Sequence, residues 1–274
     1  MAMDLPPMDL SAMELSHAAG LGLLITVAIA VPTWAASVAL RDVSIVDRLW
    51  SALIALPALF YAWALGTDPR VTTMVALIAL WAVRLGVYVT ARNWGHGEDR
   101  RYQAIRARNQ PNFALKSLWL VFLLQAVLAW LVSLPVLATV GGGAWTAWDT
   151  LGAAIAATGL ACETVADAQL ARFKRERGSH DQVMDRGLWR YSRHPNYFGE
   201  TCLWWGIAVL GLSGGGLAHA WCLASPLLMT TLLLRVSGVT LLEQDIGERR
   251  PAYRDYIART SAFIPWLPRR KATP

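Results

Sequence analysis

A chain of 274 residues with 55% hydrophobic and only 16% charged residues, at a mean hydropathy of +0.37, is too apolar for an ordinary soluble domain, whose charged fraction is roughly 25%. The formal charge of +6 does not point to nucleic acid, because the cations cluster beside apolar runs: 20 of the 25 Lys and Arg lie in Arg92–Lys116, Arg172–Arg193 and Arg249–Lys271. These features predict an all-α, polytopic membrane helical bundle, a single integral-membrane domain over residues 1–274, with no nucleic acid as partner.

In chain order, residues 1–16 are predicted to be a flexible tail. Seven stretches then approach the roughly 20 residues of a bilayer-spanning helix: His17–Leu40, Val43–Leu65, Val71–Thr90, Leu118–Val140, Leu151–Leu170, Tyr197–Leu212 and Leu217–Val239. The first lacks the basic n-region and small-residue cleavage site of a secretory signal and is read as a retained span. The three basic segments follow the third, fifth and seventh spans. Cations beside spans mark the cytoplasmic side, so the N-terminus is expected outside and the C-terminus inside. Segments 92–117, 171–196 and 243–274 are then cytoplasmic. Met1–Leu40, Gly141–Thr150 and Ser213–Ala220 carry no Lys or Arg and fall outside. Cys162, Cys202 and Cys222 lie in or beside apolar runs without CxxC spacing, as buried hydrophobes do.

Polar residues inside spans cost free energy and mark candidate chemistry. In the second span Asp47 and Arg48 sit near the cytoplasmic end, either as functional groups or as snorkelling side chains. Arg84 and Tyr88 share one face of the third span, and Gln125 in the fourth suits an interhelical hydrogen bond. His96–Tyr102 alternates charge in a cytoplasmic loop that either closes over a nucleotide or is a solvated turn. In the fifth span Glu163 and Asp167, at i and i+4, share a face, with Arg172 and Lys174 following. They fit either acceptors for a cofactor's amide and ribose hydroxyls or an ion-pair network between helix ends.

The densest polar run, Arg190–Glu200, meets the edge of an apolar helix. Its His194–Pro195–Asn196–Tyr197 places donors beside a helix N-terminus, whose free N–H groups favour anions. Arg235 lies inside the seventh span, and Glu243, Tyr253, Arg254 and Tyr256 follow it. No GxGxxG or Walker signature occurs and the five histidines have no zinc spacing, so no metal is expected and any cofactor binds between helices.

Arg186–Gly187–Leu188–Trp189–Arg190–Tyr191–Ser192–Arg193–His194–Pro195–Asn196–Tyr197–Phe198–Gly199–Glu200 resembles the C-terminal signature of the steroid 5α-reductase superfamily, in particular its bacterial branch of largely unassigned function. Glu98–Tyr102, Val46–Trp50, Ser237–Val239 and the Tyr253–Pro265 tail extend the resemblance over most of residues 40–268. It implies a seven-helix fold in a bacterial inner membrane and NADPH in a cavity facing the cytoplasm. The activity implied is hydride transfer to a C=C bond conjugated to a carbonyl, in a lipophilic substrate entering from the bilayer and its lipids. Carried onto matching positions, Asp167, Asn196 and Glu200 would contact NADPH, with Glu163, Lys174, Arg193, His194, Tyr197 and Arg235 as further cofactor-binding candidates. Asp47 is the nearest match to the carboxylate that polarises the substrate ketone. The glutamine preceding that carboxylate is Val46 here, and the third-span tyrosine falls at Trp81, leaving Tyr88 or Arg84 to supply the missing donor.

Arg193–Tyr197 with Glu243 and Tyr253–Tyr256 also resembles isoprenylcysteine carboxyl and phospholipid methyltransferases, which would imply S-adenosylmethionine. A non-enzymatic lipid-binding protein is the third reading.

Overall fold

In the computed structural model, residues 12–66, 68–139, 143–179, 182–236 and 238–269 are described. Most of the tail expected over residues 1–16 lies outside them, and the first helix already begins at Ala12. Regular structure among the described residues is helical, apart from one isolated bridge between Ser192 and Ser261. The helices are α1 (Ala12–Leu40), α2 (Ile45–Leu65), α3 (Pro69–Asn93), α4 (Arg100–Arg108), α5 (Phe113–Ser117), α6 (Leu124–Ser133), α7 (Ala147–Glu176), α8 (Pro195–Ser213), α9 (Ala224–Thr231), α10 (Val239–Glu243), α11 (Ile246–Arg249) and α12 (Ala252–Arg259). A π-helical stretch, Leu118–Leu123, joins α5 to α6, and another, Leu232–Val236, extends α9.

Among the described residues, six helical stretches have the length and apolarity to cross a bilayer: Glu14–Leu40, Ile45–Ala64, Pro69–Asn93, Phe113–Thr139, Ala147–Glu176 and Gly216–Glu248. The protein is thus a polytopic membrane bundle. The sixth expected span, Tyr197–Leu212, does form a helix in α8. It is absent from the six because its first turns carry Asn196, Glu200 and Thr201, which lower its hydropathy.

The chain divides into two compact units, one of residues 1–149 and 210–225, the other of 150–209 and 226–274. In the first, α2 packs against α1, α3 and α6. Small residues let the backbones approach, as membrane packing requires. Gly22 of α1 leaves room for the Tyr61 ring, and Ser51 of α2 donates to Ala82 O at 2.8 Å on α3. At the start of α3, Arg70 donates to both oxygens of Asp149 at 2.6 and 3.0 Å; both side chains are buried, and Ser213 donates to the same carboxylate. A buried charge of this kind is tolerated only when paired and hydrogen-bonded.

In the second unit, α7 and α8 cross on glycine. A Cβ at Gly159 would meet Gly199 O and Leu203 N at 2.5 Å, and one at Gly206 would meet Ala156 N at 2.5 Å and Gly152 O at 2.6 Å. The chain after α12 returns to the segment before α8. Arg193 N–H donates to Ser261 O and Trp266 N–H to Tyr191 O, each at 2.9 Å, while Ser192 Oγ donates to Phe263 O at 2.7 Å.

Candidate functional site

The α7/α8 crossing fixes an antiparallel register that places polar side chains on one seam. Gly199 sits against the backbone of Glu163, where an added Cβ would meet Glu163 N at 2.6 Å. One turn along, Asn196 Nδ2 donates to Asp167 Oδ1 at 3.1 Å. Glu163, Asp167 and Glu200 are all buried, at 2%, 4% and 6% exposure. Three acids so enclosed need donors around them. The seam also holds acceptor capacity in reserve, since the buried Asn196 Oδ1 has no hydrogen-bond partner among the described residues.

Immediately before α8, Arg193 is fully engaged. Its Nε and Nη2 donate to Glu243 at 2.7 and 2.6 Å, and Nη1 donates to Ile257 O at 3.1 Å and to Thr260 O. His194 Nε2 lies 3.0 Å from the same Glu243 carboxylate, and its ring stacks on Tyr197 with centroids 5.5 Å apart. This bidentate, charge-assisted arrangement fastens α10 and α12 to the entry of α8. Tyr256 OH donates to Trp189 O and to Ser192 O. Burial raises the Tyr256 phenol well above its usual range, and burial together with the Glu243 charge pushes Tyr253 up to about 12. Both stay protonated at neutral pH.

The first unit carries a second polar cluster around Asp47. Tyr102 OH donates to Asp47 Oδ1 at 2.6 Å, Arg101 Nη2 to Oδ2 at 2.7 Å, and Gln125 Nε2 to Tyr102 OH at 3.1 Å. Burial first, and then the negative Asp47, raise the Tyr102 phenol far above 10, so it stays protonated. The Tyr102 ring packs in an apolar cluster with Val43, Val46, Phe113 and Phe122, which is why α4 docks instead of lying free in solvent. Glu98 accepts from Val43 N–H at 3.0 Å and from Arg106 at 2.7 and 2.9 Å. Burial acts to raise the Glu98 carboxyl, but the Arg106 and Val43 hydrogen bonds outweigh it and hold it below 4.5. Asp99 caps α4 through Arg101 N–H at 2.9 Å.

The structure therefore brings Glu163, Asp167, Asn196 and Glu200 onto α7 and α8, and joins Arg193 and His194 to Glu243 with Tyr197 alongside. Lys174 and Arg235 are exposed, on α7 and on the π-helical stretch after α9. The direct partners of Asp47 are Arg101 and Tyr102; Arg84 and Tyr88 are half-buried along α3, with the Arg92 guanidinium 5.7 Å from the Tyr88 ring centroid. Arg101 and Tyr102 were signalled by the charged His96–Tyr102 run, but the sequence did not say which span that run covers. The fastening role of Glu243 had no local signal, because its partners are 49 and 50 residues away. No group of three or more His, Cys, Asp or Glu able to hold a metal ion occurs among the described residues.

Fold and site together define a multi-span membrane protein with buried acids on one helix seam. The chain belongs to the DUF1295 family, described as proteins of unknown function, whose pattern matches residues 33–260. It is 27% identical to the uncharacterized protein C594.04c of Schizosaccharomyces pombe, over 90% of this chain and 79% of that one. No solved structure matches it significantly.

Proposed function

We propose that the protein is an NADPH-dependent membrane reductase, acting from the cytoplasmic side on a C=C bond conjugated to a carbonyl in a lipophilic substrate. The observation that carries this reading is the α7/α8 seam, where Asp167 and Asn196 are hydrogen-bonded beside buried Glu163 and Glu200, with Asn196 Oδ1 open as an acceptor. The donor set fits a dinucleotide: carboxylates accept ribose hydroxyls, and an amide offers both donor and acceptor to a carboxamide. NADPH, when bound, supplies hydride to the carbon β to the carbonyl.

Asp167, Asn196, Glu163 and Glu200 would hold the cofactor, while Arg193 and His194, engaged with Glu243, position the entry of α8. In the other unit, Asp47, which the resemblance matches to the carbonyl-polarising carboxylate, accepts from Tyr102 and from the Arg101 guanidinium, and a cation of this kind stabilises an enolate oxygen. The resemblance of Arg186–Glu200 to the steroid 5α-reductase signature supports the same activity. Val46 and Trp81, where the chain departs from that pattern, are buried apolar packing, which favours a lipid carbonyl other than a steroid ketone.

The Arg193–His194–Glu243 fastening, with Tyr253 and Tyr256 beside it, favours a second reading as an S-adenosylmethionine-dependent methyltransferase. Thermal shift of detergent-purified protein with NADPH, NADH and S-adenosylmethionine separates them. Stabilisation by NADPH, lost in Asn196→Ala and Asp167→Ala, is expected. Stabilisation by S-adenosylmethionine alone moves the protein to the methyltransferases, and no shift with any of the three leaves lipid binding without catalysis.

A further inference from the structure

The second unit contains a cavity of about 470 Å³ that belongs to neither cluster described above, formed where residues 185–190 meet residues 259–269. Arg186, Arg190, Arg259 and Arg269 line it, against one acid, Asp185. Only Arg259 is paired with that acid, Nη2 to Oδ2 at 2.5 Å; among the described residues the other three guanidinium groups have no carboxylate partner. Positive-inside bias accounts for arginines on this side of the membrane, but not for four of them converging on one concavity.

The walls are built, not incidental. Leu188 N–H donates to Gln169 Oε1 at 3.0 Å and Trp189 Nε1 to Ala166 O at 3.0 Å, tying one wall to the last turns of α7. Gly187 makes the turn at φ +59, where a Cβ would strike the Gln169 side chain. Arg269 N–H donates to Arg259 O at 2.9 Å, closing the other wall on itself. The cavity thus adjoins the C-terminal third of α7, a helix of span length. Beside it, the same wall exposes Ile264, Trp266 and Leu267, at 63%, 73% and 73%. An exposed apolar run with a tryptophan next to arginines is the composition of an interfacial anchor.

From these observations we infer that this cavity binds the phosphate headgroup of an anionic lipid, with Ile264, Trp266 and Leu267 seated among the acyl chains. Arginine suits phosphate through its bidentate fork, and basic pockets at the cytoplasmic face are where such headgroups bind. Three unpaired cations match a doubly charged phosphomonoester better than a singly charged phosphodiester.

Native mass spectrometry of the detergent-purified protein, titrated with phosphatidic acid, phosphatidylglycerol and phosphatidylcholine, tests this, with inorganic diphosphate and NADPH as competitors. Phosphatidic acid is expected to be retained over phosphatidylcholine, and the Arg186→Gln/Arg190→Gln double variant to lose about 30-fold of that preference. Both side chains are exposed, so folding survives, and an unchanged melting temperature verifies it. Arg100→Gln/Arg108→Gln, which removes equal charge elsewhere, should leave retention intact. Equal loss in that control, or no loss in the cavity variant, overturns the inference. If diphosphate or NADPH is the ligand whose binding depends on Arg186 and Arg190, while phosphatidic acid is not, the cavity belongs to a soluble phosphate and the lipid assignment fails.

Discussion

At the scale of single residues, Asp47 is defined by its neighbours. With Tyr102 and Arg101 each donating to one of its oxygens, the carboxylate orders two donors that would otherwise be mobile. Asp47→Asn keeps the shape but removes the charge that holds them. Under the proposed chemistry it should lower turnover about 10²-fold while leaving the NADPH-induced thermal shift unchanged, because the residue belongs to the unit that lacks the α7/α8 seam. An equal loss of NADPH binding would sink the assignment. Glu98 makes a separate prediction. Its folded-state pKa lies below 4.5, so the stability it contributes is fully present above that value and is lost as pH falls through the lower, folded one. Melting temperature measured from neutral to acid pH should therefore decline below about pH 4.5, and Glu98→Gln should flatten that decline by starting from a lower plateau. A variant curve parallel to the parent would show that the Arg106 and Val43 contacts are not what titrates.

At the scale of elements, the α7/α8 pair depends on the absence of side chains. Gly199→Ala would drive a Cβ to 2.6 Å from both Glu163 N and Gly159 O, backbone atoms that cannot step aside. Overpacking of this kind costs about 1–3 kcal/mol. The seam should open, so melting temperature and cofactor-induced shift should fall together, whereas Gly20→Ala, with nothing within 4 Å of the new Cβ, should change neither. The Arg193–Glu243 pair, 8% and 17% exposed at the side chain, gives a similar contrast. Glu243→Gln leaves a buried guanidinium short of its counter-charge and should destabilise by about 3 kcal/mol, with α12 becoming protease-sensitive before the spans do. The elements themselves were legible in the sequence because apolar run length and cation placement report directly on the bilayer. The i, i+4 spacing of Glu163 and Asp167 likewise reports one helical face. The docking of α4 on the first unit was not legible, since it rests on Tyr102 finding an apolar cluster contributed by residues 30 to 126. Glu243 was visible as an acid after a span, but pairing across 50 residues leaves no periodic trace in a single chain.

For the whole molecule, α8 decides the topology. The N-out, C-in arrangement expected from the basic segments needs an odd number of crossings, and among the described residues six stretches qualify by length and apolarity alone. At 19 residues and about 1.5 Å per residue, α8 is roughly 28 Å long, close to the hydrocarbon thickness of about 30 Å. Its polar first turns do not need lipid contact, because Asn196 bonds Asp167 and Gly199 abuts Glu163 on α7; buried polar groups facing a neighbouring helix are how spans carry such residues. We therefore expect α8 to cross, shielded along that seam. In a background with Cys162, Cys202 and Cys222 replaced by alanine, Gly178→Cys and Leu217→Cys supply exposed thiols before and after it, at positions with nothing within 4 Å and with 92% exposure respectively. A membrane-impermeant maleimide applied to intact cells should label Leu217→Cys and spare Gly178→Cys, and disrupting the membrane should make both reactive. Labelling of both from the same side would mean that α8 does not cross, and the seam of Glu163, Asp167, Asn196 and Glu200 would then face a headgroup layer instead of a membrane interior, removing the water exclusion on which the proposed hydride transfer depends.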